Sequence, residues 1–72
     1  MDRRKIAVRL MMLRGERSKA EVAAALGVSR SALGMYESGA RVPRDAIKQA
    51  FARYYGVSVD ELFYGENDEA AG

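Results

Sequence analysis

Apolar side chains recur along this chain at intervals of three and four residues, the period of an α-helix that turns one face to a core. Ile6, Leu10 and Leu13 share such a face across a first segment, Arg3 to Arg14, whose other face is basic. Val22, Ala23 and Leu26 form the inner face of a second, and Leu33 and Tyr36 that of a third. Ile47, Phe51 and Tyr54 or Tyr55 point inward from a fourth, and Val59, Leu62 and Phe63 from a short fifth. Start and stop signals agree with these limits. Ser18 with Glu21, and Ser58 with Glu61, have the S-x-x-E spacing of a capping box, in which two side chains satisfy two free backbone N–H groups. Ser29 is a good N-cap for the third helix, and Pro43 suits the first turn of the fourth. Isolated glycines at 15, 27, 39, 56 and 65 each follow a helical stretch, where a left-handed residue closes a helix. No segment sustains strand-like alternation, and the one β-branched cluster, Val57 to Val59, is interrupted by a cap residue. The expected fold is all-α: five short helices in one domain over residues 1–65. Residues 66–72 carry three acids and no large apolar side chain, and are expected to form a frayed, solvated tail.

Composition removes most chemistry. The chain has 72 residues, with no Cys and no His. It therefore lacks a disulfide framework, a thiolate nucleophile, an imidazole proton shuttle and the usual zinc ligands. An enzyme is the weakest reading, and no cofactor, metal or small-molecule ligand is expected. A domain this small buries only about 60% of its unfolded surface, so stabilisation by a second copy is expected. The apolar run Ile6 to Leu13 follows Arg3, Arg4 and Lys5 like the core of a signal peptide. Arg9 breaks it, however, and it is too short to span a bilayer, so a soluble, cytoplasmic protein is expected.

Charge is unevenly placed. Residues 1–44 hold ten Lys/Arg against four Asp/Glu, a net +6; residues 45–72 hold two against six, a net −4. Such a split suits a molecule whose first half faces a polyanion. The turn Leu26, Gly27, Val28, Ser29 joins the second and third helices with the spacing of a helix-turn-helix: Gly27 permits the sharp turn, Val28 plugs the corner and Ser29 caps the following helix.

The longer strings EVAAALGVSRSALGMYESGARVPR (Glu21 to Arg44) and GVSVDELF (Gly56 to Phe63) resemble the lambda repressor, Cro and XRE family. The resemblance covers about residues 6 to 64. It implies a five-helix domain whose third helix enters the major groove of double-stranded DNA, with two copies reading the half-sites of an operator. This chain departs from the pattern in having Lys19 where Gln is usual, and in a shorter connection between the first two helices.

Carried over position by position, the resemblance makes Arg30, Ser31 and Met35 base readers, with Gly34 beside them; at 100° per residue all four project away from Leu33 and Tyr36. Arg30 can grip O6 and N7 of a guanine. Ser31 is equally well read as an exposed residue that touches nothing, and Met35 as core filler. Gly34 calls for close approach of another surface, either DNA or a packed helix. Lys19, Ser38, Arg41 and Arg44 are the phosphate candidates, with Arg17 as an addition that surface charge alone would also explain. Arg14 is implied to pair with Glu37, a structural ion pair orienting the third helix. Of the aromatics in the second half, Tyr55 and Tyr64 are the candidate dimer contacts. The leading reading is a homodimeric repressor. An antitoxin with a protein partner, or an interaction module on the same fold, are the alternatives.

Overall fold

The computed structural model describes residues 2–65, so the expected acidic tail, residues 66–72, lies outside the described residues. Five helices and no strand occur among them: α1 (Arg3–Arg14), α2 (Lys19–Leu26), α3 (Arg30–Ser38), α4 (Asp45–Tyr55) and α5 (Val59–Phe63).

Local chemistry sets most of these limits. Asp2 caps α1: its Oδ1 accepts from the N–H groups of Arg4 (2.9 Å) and Lys5 (3.3 Å). The backbone bonds from Lys5 and Arg4 hold its carboxyl below the ordinary range. Ser29 Oγ accepts from Ala32 N at 3.0 Å, as its N-cap role requires. At α5 the capping box closes in both directions, 2.9 Å each way between Ser58 and Glu61. At α2 only half of it forms, with Ser18 Oγ accepting from Glu21 N.

Two expectations are corrected. Pro43 is not in the first turn of α4; it is buried ahead of the N-cap, Arg44, and α4 begins at Asp45. Gly65 does not close α5 in the left-handed conformation. The C-cap is Tyr64, at φ −125°, and positive φ is confined to Gly15, Gly27, Gly39 and Gly56. Of these Gly39 is doubly constrained, because its φ is 83° and a Cβ there would lie 3.3 Å from the Arg3 carbonyl oxygen.

The core is built around Phe51. Tyr36 (5.9 Å, 79°) and Phe63 (6.2 Å, 60°) meet its ring edge-on, and Tyr55 stacks on it at 6.0 Å. Leu10, Val22, Leu33 and Leu62 complete a fully buried set contributed by all five helices. α1 packs chiefly on α3 and also on α5; α2 packs on α3 and α4. This arrangement leaves one side of α3 free.

Tyr55 is less available to a partner than its aromatic character suggests. Its hydroxyl is buried without a hydrogen-bond partner among the described residues, and burial, then the Glu37 carboxylate, push the phenol up to about 12. The unfolded phenol ionises near 10, so between about pH 10 and 12 the folded state holds a proton that the unfolded state has released. Stability is therefore lost as pH rises through that window. Tyr55→Phe is expected to melt at or above the parent temperature at pH 7, since it removes an unsatisfied buried group, and to lose part of the alkaline decline. Melting curves at pH 7 and 11 check this; a variant destabilised at pH 7 would mean that the hydroxyl has a partner.

Candidate nucleic-acid interface

The turn between α2 and α3 is held by its own backbone. Val28 N donates to Ala23 O (3.0 Å) and Gly27 N to Ala24 O (3.2 Å), closing α2 through Gly27 at φ 75°. Val28 then packs half-buried against the core, which fixes the angle at which α3 leaves.

α3 turns Leu33, Tyr36 and Glu37 inward. Arg30 and Ser31 are exposed and Gly34 and Met35 half-buried, so the four base-reading candidates share the side away from the core. Arg30 opens the helix, and no acid lies in its first turn. Of the two surfaces that Gly34 could admit, a packed helix of this chain is excluded among the described residues: nothing lies within 4 Å of where its Cβ would be.

The phosphate candidates separate into three groups. Lys19 begins α2, Arg44 is the N-cap of α4 with no side-chain cap bond, and Arg41 lies in the loop between α3 and α4; all three are exposed. Ser38 is exposed, but its hydroxyl donates to Met35 O at 3.2 Å and must rotate before it can donate elsewhere. Arg17 is engaged within the fold. Its guanidinium lies over the rings of Tyr54 (5.4 Å) and Tyr55 (5.6 Å) and donates to Leu13 O. Arg3 is a residue that no sequence signal marked. Its Nη1 reaches Ala40 O at 3.4 Å, across 37 positions, and sets another exposed cation beside the loop that carries Arg41.

Arg14 and Glu37 form the ion pair. Arg14 Nε donates to both carboxylate oxygens (2.8 and 3.1 Å), and its Nη1 donates to Arg17 O at 2.8 Å. Glu37 is 5% exposed. One guanidinium therefore ties the end of α1, the turn before α2 and the last turn of α3. Tyr64 is 45% exposed, with its hydroxyl accepting from Lys48 Nζ at 2.8 Å. Among the described residues no group of side chains could hold a metal ion, and no helix is long and apolar enough to cross a membrane.

Comparison with known proteins agrees with this geometry. A family model described as a helix-turn-helix domain matches residues 5–62. No curated protein and no solved structure matches.

Arg14→Met is expected to cost about 3 kcal/mol, because it leaves a buried carboxylate without its cation. Arg14→Met/Glu37→Leu, which removes both charges, is expected to cost less than the single variant. Denaturant unfolding of the three proteins decides; a double variant less stable than the single would mean that the pair acts through packing alone.

Proposed function

The chain belongs to the helix-turn-helix domain family, and from that premise we propose that it is a sequence-specific transcriptional regulator, a repressor that occupies an operator as two copies. The observation that carries the reading is the open space over Gly34. Glycine within a helix costs about 1 kcal/mol relative to alanine, and nothing within the described fold uses the room it leaves. A surface pressed close to α3 would use it. The neighbours on that side, Arg30, Ser31 and Met35, suit the floor of a major groove better than an apolar protein face.

In this reading Arg30 takes the O6 and N7 acceptors of a guanine with its two-pronged guanidinium. Its position supports that use: a cation at a helix N-terminus opposes the helix dipole, an unfavourable placement that DNA contact offsets. Ser31 donates to a base or a phosphate, and Met35 meets a thymine methyl. Lys19, Arg41 and Arg44, with Arg3 beside them, grip phosphates on either side, setting register without reading sequence. Ser38 joins them on rotation of its hydroxyl. Arg17, held over two tyrosines, stays out of the clamp. Helix N-termini beneath Lys19 and Arg44 add to the attraction, since their free amides and dipoles favour the same anions.

Selection from a random duplex pool at about 150 mM salt tests the function directly. The expected winner is an inverted repeat with half-site centres about ten base pairs apart; a pool that shows no enrichment would remove the regulator reading. On the selected site, Arg30→Ala is expected to relax discrimination at one base pair by about 1 to 3 kcal/mol. Arg41→Ala should weaken all sequences alike and reduce the salt slope by about one. If the two variants behave alike, the division into readers and clamps is wrong.

Gly34→Ala separates fold from function. It is expected to stabilise the free protein by about 1 kcal/mol, a rise of about 4 to 8 °C in melting temperature, while weakening operator binding. A variant that is both more stable and fully competent would show that no surface approaches Gly34.

A further inference from the structure

Four large hydrophobic residues are substantially exposed, and three of them lie on α1: Val8 (54%), Met11 (50%) and Met12 (76%). Their spacing, i, i+3 and i+4, makes one stripe. At 100° per residue its centre lies roughly 150° around the helix from that of the buried Ile6, Ala7 and Leu10. The stripe therefore faces away from the core and from α3, and no DNA contact in the proposed function uses it. The fourth residue, Tyr64, lies in sequence between Leu62 and Gly65, whose carbonyl oxygens accept from Arg9 of α1 at 3.1 and 2.6 Å. Single exposed apolar side chains need no explanation, but an apolar stripe along one helix does.

We infer that two copies of this chain pair through α1, packed antiparallel about a two-fold axis with Val8 of each copy on Met12 of the other. In an antiparallel pair, residues facing each other have numbers with a constant sum. The register that matches Val8 with Met12 also brings Arg4, on the stripe at the start of α1, opposite Glu16, in the turn that ends it. Both are exposed. Two-fold symmetry makes each contact twice. A parallel arrangement would set Arg4 on Arg4 and oppose like charges. Charge complementarity thus selects a second copy, and its direction.

The pair is expected to be weak. A standard interface buries about 800 Å² on each partner, about one sixth of the 4564 Å² that this domain presents. A twelve-residue helix about 18 Å long supplies less than that, which points to micromolar dissociation. The use of the pair on an operator rests on the proposed function; the pairing itself does not.

Sedimentation equilibrium of the full chain without DNA, from about 1 to 200 μM, tests it across the expected range. A monomer–dimer equilibrium is expected, weakened at least about tenfold by Met12→Glu, a loss of about 1.4 kcal/mol. Met12 is largely exposed, so the variant should keep the parent melting temperature. Arg4→Glu should weaken pairing, and Arg4→Glu/Glu16→Arg should restore it. A monomer at every concentration overturns the inference. So does a dimer indifferent to Met12→Glu, which would place the contact elsewhere, as at Tyr64 or through residues 66–72. Failure of the double swap overturns the antiparallel register. Titration of a single half-site duplex keeps the readings apart: Met12→Glu should bind it as the parent does, whereas loss of DNA binding by a chain that still pairs would remove only the regulator reading.

Discussion

A carboxylate buried at the end of α3 constrains everything around it. Glu37 is 5% exposed and finds its partner in Arg14, whose remaining donor holds the carbonyl of Arg17. Bringing two charges out of water costs about as much as their attraction returns, so such a pair is weak evidence of added stability. Its value is geometric. A bidentate guanidinium has one good orientation on a carboxylate, and here that orientation is shared by α1, the turn into α2 and the last turn of α3. A different tilt of α3 would leave a buried charge unpaired, which excludes the competing packings that apolar contacts alone would tolerate.

That exclusion matters because the helices cannot stand alone. They run from five to twelve residues, below the length at which an isolated helix persists in water. Their order comes from the shared contact with Phe51 and from caps that satisfy the first free amides. The outward side of α3 is consequently as rigid as the core beneath it. Arg30 and Ser31 sit one and two positions past a capped N-terminus, on a turn closed by its own backbone bonds, so little ordering is left to occur when a surface docks there.

Where a signal was local, the chain announced its structure. α1 and α3 begin and end where the cap residues and Gly15 and Gly39 place them, because those signals act through bonds spanning three to six residues. The helix-turn-helix was legible for the same reason. What was not legible depends on chain segments far apart in sequence. Pro43 looked like an opening helical residue, but burial against the core holds it outside α4. Arg17 looked like a phosphate ligand, yet α4 brings Tyr54 and Tyr55 beneath it from nearly forty positions away. Arg3 became a neighbour of Ala40 only once α1 had packed on α3. Gly34 was ambiguous between a packed helix and an outside surface, and only the folded arrangement could remove the first.

α1 is the element through which the two proposed surfaces communicate. Its inner side supports α3, and its outer side carries Val8, Met11 and Met12. The forces on these surfaces differ in kind. Phosphate contacts weaken as salt displaces fewer condensed ions, whereas burial of Met and Val is nearly indifferent to salt. Pairing that is micromolar in free solution is still consequential on DNA, because two copies held on one duplex meet at an effective concentration of about millimolar. At that concentration a micromolar contact is essentially saturated. A weak apolar stripe can thus leave the free protein largely monomeric and still couple two bound copies, which is the balance that a chain with so small a core can sustain.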